Sequence, residues 1–212
     1  PEIGISLLEQ AGWLDSDNDP STPRQAINVR NVAYNTPLIL KYQTTSTAQR
    51  RQVAVVIETS LAECGIGLDV EFLTPNELYS PGPAGTLFGR QFDLAQYALG
   101  VENIEPPCNW FTSAAIPSEA NLWVGANITG YSNKEYDLAC QTARSSLRED
   151  TSYLPSYRQT QILLAEDIPA IPLYSRLRIA AARPDLCGFA LDPTANPLSN
   201  IESFDIGETC QN

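Results

Sequence analysis

The side chains that most often carry enzymatic chemistry are sparse in this chain. It has no histidine and five cysteines, Cys64, Cys108, Cys140, Cys187 and Cys210. Without an imidazole, neither a Ser–His nor a Cys–His nucleophile pair can be built from it. There is no Gly-x-Ser-x-Gly elbow and no Walker loop. The nearest glycine-rich loop is Gly82-Pro83-Ala84-Gly85, and its proline removes an amide donor that a phosphate would need. No two cysteines stand as Cys-x-x-Cys, which argues against a zinc ribbon or a thioredoxin-like centre. Two disulfides and one leftover thiol, in an oxidising compartment, fit the count better. Carboxylates remain: with 25 Asp and Glu residues, some pair will lie close, as the acid/base pair of a hydrolase does. Asp15, Asp17 and Asp19 have the 1-3-5 spacing of a calcium loop, but Pro20 stands where glycine is required and Ala26 where a bidentate Glu is. A solvated turn is expected there, with weak cation binding as the alternative. Asn127-Ile128-Thr129 matches a glycosylation sequon. No cofactor signature is present and none is expected.

Such residues need elements to position them. The 212 residues are 43% hydrophobic, enough for a sizeable core. A formal charge of −12, from 13 Lys and Arg against 25 Asp and Glu, repels phosphate, so nucleic acid and anionic lipid are poor partners. No apolar run approaches the length of a membrane-spanning helix. The chain starts at Pro1 and contains no Met, so it reads as a processed or excised segment, with any export signal upstream.

A short amphipathic helix is expected over 2–13, with Ile5, Leu8 and Trp13 on one face and Gly12 ending it. A strand is expected over 37–42. A helix from Thr47 buries Val53, Ile57, Leu61 and Cys64, and Gly65 terminates it. Residues 67–73 alternate as a half-buried strand. This strand–helix–strand order predicts a parallel pair. A third strand is expected over 92–97, then irregular chain over 98–131. Ser132-Asn133-Lys134-Glu135 reads as a capping box opening a helix that buries Tyr136, Ala139, Cys140, Ala143 and Leu147. A second helix is expected over 153–167, with Leu154, Tyr157, Gln161 and Leu164 in register. Ile171-Pro172-Leu173-Tyr174 should lead into a strand through Ala181.

Four segments, in order, resemble a known family: the extracellular solute-binding proteins of family 5, the oligopeptide, dipeptide and nickel receptors of ABC importers. Leu7-Leu8-Glu9-Gln10-Ala11-Gly12-Trp13 with the Asp15–Asp19 turn is similar to the opening of that family's C-terminal lobe. The helix from Thr47 and Gly65-Ile66-Gly67-Leu68-Asp69-Val70 resemble its strand–helix–strand unit. Gly130-Tyr131-Ser132-Asn133-Lys134-Glu135-Tyr136-Asp137 resembles its phrase GYSNPEYD, and Asp167-Ile168-Pro169-Ala170-Ile171-Pro172-Leu173-Tyr174 its phrase aPxIPLY. The resemblance implies an α/β fold: a periplasmic-binding-protein-like lobe with a mixed, mostly parallel sheet flanked by helices. It implies that residues 1–212 are the C-terminal lobe, without the N-terminal lobe that completes the cleft.

The implied function is capture of a solute, by family default a small peptide, for an ABC importer permease. The implied setting is extracellular or periplasmic, with a lipid anchor upstream and a monomeric receptor. In the family's peptide receptors an acidic residue shortly before a Glu-Pro step pairs with the peptide α-amino group. Glu105-Pro106 supplies that step and Glu102 the acidic position, where the peptide receptors usually carry Asp. Tyr97, Asn109, Trp110 and Phe111 flank it and could pack against ligand side chains, or serve as core. Trp123 is open to the same two readings. Arg90 is expected to be a solvated loop cation, with a ligand carboxylate as its other possible partner. Cys108–Cys140 and Cys187–Cys210 are the expected disulfides, leaving Cys64 as a core thiol. Two other functions remain open at this stage: a carboxylate-based hydrolase, and a sensor or adhesion module built on the same lobe.

Overall fold

A computed structural model describes residues 1–19, 21–100, 108–175, 179–190, 192, 195–196 and 198–207. The chain forms two compact units: Pro1–Leu99 with Asn109–Asn133, and Gly100–Cys108 with Lys134–Asn212.

In the first unit, helix α1 (Glu2–Gln10) is followed by Gly12 at φ +92°, a conformation that glycine adopts without a steric penalty. Strands β1 (Trp13–Leu14) and β2 (Gln25–Ala26) pair antiparallel. The central element is β3 (Ile39–Thr45), which continues past the expected end at Tyr42. Gln43, Thr44 and Thr45 are all buried; neighbouring polar groups partner the Gln43 Nε2 and the two threonine hydroxyls, while the Gln43 Oε1 has no partner among the described residues.

Helix α2 (Ala48–Ala62) starts where expected: the Thr47 hydroxyl accepts the Arg50 amide. Its apolar stripe of Val53, Ile57 and Leu61 is half-buried, and Ala54 and Arg50 are the buried residues. Strand β4 (Gly67–Leu73) pairs parallel with β3 over its whole length, Ile39 opposite Gly67 through Thr45 opposite Leu73. A one-turn helix, α3 (Pro75–Leu78), carries a complete capping box between Thr74 and Glu77.

The expected third strand shrinks to β5 (Leu94–Ala95), parallel to β3 at Tyr42 and Gln43. The sheet is therefore three parallel strands in the order β4–β3–β5. A small core of Leu78, Leu87 and Ile128 is flanked by Leu73, Phe88, Phe92, Ala95 and Tyr97.

In the second unit, α4 (Lys134–Ser145) packs against α5 (Tyr153–Asp167). Tyr136, Ala139, Cys140 and Ala143 form the buried face of α4 as expected. The helix stops before Leu147, which is exposed. Its first helical residue is Lys134, one later than a cap at Ser132 would set it. Helix α5 has the expected ends, but its phase differs. Leu154 and Gln161 are exposed, whereas Thr160 and Leu163 are buried. Thr160 tolerates burial because its hydroxyl donates to the Tyr157 carbonyl at 2.7 Å.

Cys108 is bonded to Cys140. Cys187 is also disulfide-bonded, and its expected partner Cys210 lies outside the described residues. Strands β6 (Leu186–Cys187) and β7 (Asp205–Ile206) pair antiparallel, and Phe189 packs edge-on against Phe204 at 5.7 Å. No strand forms in the described part of 171–181, where Ile171, Leu173, Tyr174 and Ile179 are exposed. Its apolar character resembles a strand, but backbone groups become a strand only against a partner. Among the described residues no helix is long and apolar enough to cross a membrane.

Candidate functional site

The residues singled out in the sequence divide into three groups. Glu102, with the Glu105–Pro106 step, lies outside the described residues. Asn109, Trp110 and Phe111 follow one another from a 3-10 turn over Cys108–Trp110. Asn109 is exposed, Trp110 half-buried and Phe111 buried. Tyr97 packs on the Leu78–Leu87–Ile128 core, and burial, with a smaller contribution from Tyr79, pushes its phenol up to about 12. Phe111 and Tyr97 thus contribute mainly to packing, while Asn109 and the half-buried Trp110 are the more accessible of the four.

The loop after this turn is held by Asn127, which is fully buried. Its Nδ2 donates to the Thr112 carbonyl at 2.9 Å and the Tyr131 carbonyl at 2.8 Å. Its Oδ1 accepts from the Thr129 hydroxyl at 2.9 Å, and its own amide donates to the Ala115 carbonyl at 3.0 Å. The sequon nitrogen is therefore committed to the fold, and a glycan on it would demand that these bonds break.

Arg90 differs from the solvated cation expected. It is half-buried and donates from Nη1 to the Pro117 carbonyl at 3.0 Å, passing close over Gly130. Trp123 lies on Gly82 so closely that a Cβ there would come within 2.4 Å of the ring. Gly82, at the start of the Gly82–Gly85 loop, is thus packed under an aromatic ring.

Asp17 and Asp19 close their own turn. The Asp19 amide and the Thr22 hydroxyl donate to the Asp17 carboxylate, and the Ser21 hydroxyl and amide to that of Asp19. Bonds from the Asp19 amide first, then Thr22, hold the Asp17 carboxyl below its usual range; those from the Ser21 hydroxyl, then its amide, do so for Asp19. Among the described residues no cluster of His, Cys, Asp or Glu is arranged to hold a metal ion. Cys64 is a free, half-buried thiol beside a small hollow lined by Ile5, Asp15, Thr22, Arg24, Glu63 and Gly65.

Sequence reasoning missed a buried polar cluster at the carboxyl ends of β3 and β5. The Tyr42 hydroxyl donates to Gln96 Oε1 at 3.0 Å, and the Thr44 hydroxyl to the Gln96 carbonyl at 2.9 Å. Arg50 Nη1 donates to the Thr45 hydroxyl at 2.9 Å and reaches the Gln96 carbonyl at 3.5 Å. The available signal was the run Gln43-Thr44-Thr45 continuing an apolar strand toward a helix cap at Thr47.

No protein-family model matches the chain. It is 27% identical over 209 residues to di/tripeptide-binding protein 2 of Pseudomonas aeruginosa, covering 95% of this chain and 38% of that protein. It is 26% identical over 208 residues to the peptide transport periplasmic protein SapA of Salmonella typhimurium, covering 92% and 35%. The oligopeptide-binding protein AppA of Bacillus subtilis, solved with a nonapeptide, superposes on 98% of this chain and 37% of its own with a TM-score of 0.69 at 19% identity. The chain thus spans less than two fifths of the length of each of these relatives. In sequence it resembles part of these peptide-binding proteins, and its fold is that of part of AppA, as the likeness to the extracellular solute-binding proteins of family 5 implied.

Proposed function

We propose that this chain is the C-terminal lobe of an extracellular or periplasmic solute-binding protein that captures a peptide-like solute for an ABC importer. The observation that carries the reading is likeness to a di/tripeptide-binding protein across 95% of the chain. A lobe without the machinery for nucleophilic catalysis fits a receptor better than a hydrolase. In this reading an N-terminal lobe of the same protein completes the cleft, the closed receptor is monomeric, and an upstream lipid anchor holds it near the permease.

Glu102 takes the peptide α-amino group, since a carboxylate in a water-poor cleft makes a charge-assisted bond worth about 1.5–3 kcal/mol. Asn109 offers an amide to the peptide backbone, and Trp110 offers a flat apolar surface that accepts many side chains. Tyr97 and Phe111 are the further aromatic candidates for contact with the solute's side chains.

Mass spectrometry of small molecules co-purified with the full-length protein tests the reading. Short peptides are the expected cargo, and a consistent non-peptide cargo would refute it. Calorimetry on residues 1–212 alone should show peptide binding far weaker than in the full-length receptor, because affinity comes from enclosure between lobes.

A further inference from the structure

We propose that the Cys108–Cys140 disulfide is a positioning element for solute binding: it fixes the turn that presents Asn109 and Trp110. Its link to a solute rests on the solute-binding reading above.

The turn cannot hold itself. It is a single 3-10 turn, Cys108–Trp110, and so short a helix has too few internal bonds to persist alone. The two residues before it, Pro106 and Pro107, have no amide hydrogen with which to tie down its start.

Two other constraints supply what the turn lacks. At one end Cys108 is bonded covalently to Cys140. Cys140 lies on the buried face of α4 with Tyr136, Ala139 and Ala143, and α4 packs against α5. At the other end the Thr112 carbonyl accepts from the side-chain amide of Asn127 at 2.9 Å, and Asn127 is itself fully buried. The span from Cys108 to Thr112 thus runs between two fixed points.

The burial pattern agrees. Cys108 and Phe111 are buried, whereas Asn109 is exposed and Trp110 half-buried. The pinned positions leave these two side chains for contact. The sulfurs belong to residues only 4% and 1% exposed, out of reach of a reductant, so the bond is a permanent brace and not a redox switch. A surface braced in advance loses less conformational entropy when a ligand arrives. Leaving the backbone of one turn residue for the ligand to order corresponds to an affinity loss of about 10-fold.

The test compares the full-length receptor with its Cys108→Ala/Cys140→Ala variant, under conditions where circular dichroism shows both fully folded. Calorimetry with trialanine gives the affinity, and fluorine NMR of fluorotryptophan-labelled protein, with Trp110 assigned through Trp110→Phe, reports on the turn. The variant should bind more weakly by the factor above, and its Trp110 signal should broaden or split without peptide. A crosslink that served stability alone would lower the denaturation midpoint and change neither readout. A wild-type Kd or a wild-type Trp110 signal in the folded variant would therefore overturn the proposal. If the variant does not fold, the oxidised receptor decides alone. Trp110 should give one narrow signal both free and with saturating peptide, and a signal broadened by exchange in the free receptor would overturn the proposal.

The two readings fail separately. Trialanine affinity that is unchanged in the variant removes the positioning role and keeps the peptide reading. An oxidised receptor with no peptide affinity removes the peptide reading, and the Trp110 signal then decides for the brace: broadened in the variant it stands, unchanged it falls.

Discussion

Asn127 is the residue whose replacement should tell most about the irregular loop. Asn127→Ala deletes two donors and one acceptor from a site with no solvent access. The carbonyls of Thr112 and Tyr131 then lose a partner, and the Thr129 hydroxyl loses its acceptor. A buried polar group left unsatisfied costs about 1–3 kcal/mol. Partial entry of water into a loop lowers that figure, so about 2–4 kcal/mol is expected in total. Asn127→Asp separates hydrogen bonding from volume. It keeps the acceptor for Thr129 but turns an oxygen toward two carbonyl oxygens, so at neutral pH it should be worse than Ala. Urea denaturation gives the magnitudes. Amide exchange gives the location, with faster exchange expected in 112–131 and little change in β3 and β4. Wild-type stability within about 0.5 kcal/mol for Asn127→Asp would refute the reasoning, because no buried carboxylate could replace that amide at so small a cost.

Two further outcomes are expected. Cys108–Cys140 closes a span of 32 residues, for which chain entropy predicts a loss of about 3–4 kcal/mol when both cysteines become serine; denaturation midpoints of the oxidised chain and the double variant check this. Burial pushes the phenols of Tyr97 and Tyr136 up to about 12, from 10. Because these folded-state values are raised, the stability linked to the neutral phenols is intact below pH 10 and is lost as pH rises through about 12; a tyrosinate absorbance titration should lose its late component in Tyr97→Phe and in Tyr136→Phe.

What was legible in the sequence was what local chemistry decides. Thr47 and Gly65 bracket α2 because a hydroxyl cap and a left-handed glycine act within a few residues of themselves. The β3–β4 pair followed from alternation and from a helix of the right length between. Features that depend on a partner were less legible. The face of α5 is fixed by what lies across from it, so Leu154 and Gln161 fell on the wrong side while Thr160 went in. The 171–181 segment has the composition of a strand, yet its described residues have no strand to pair with. Phe92 to Tyr97 was predicted as a strand, but only Leu94 and Ala95 enter the ladder, since β3 offers a neighbour at Tyr42 and Gln43 alone. The candidate site divided in the same way. Phe111 and Tyr97 are types that serve equally as core or as contact surface, and only packing separates the two.

The loop from Asn109 to Asn133 raises a physical question, since regular structure within it is limited to short 3-10 turns. A chain of this kind carries one carbonyl per residue, and buried carbonyls need donors. Side chains supply many of them. Asn127 takes Thr112 and Tyr131, Asn121 takes Ile116 at 2.8 Å, and Arg90 takes Pro117. Asn121 also accepts the Ser118 amide at 2.8 Å, which closes a capping box over a single turn. Each of these donors is anchored by packing or by its own turn, so the loop is fixed at several separate points without a ladder. A surface fixed in advance loses less conformational entropy when it meets a ligand. Asn109 and Trp110 begin this cross-braced segment, which supports placing the ligand-facing surface on it and gives the three donors a common purpose. That argument also ranks them. Asn127 serves two carbonyls from full burial, whereas Arg90 and Asn121 each serve one from partial burial. Replacing Asn127 should therefore loosen the segment more than replacing either of the others.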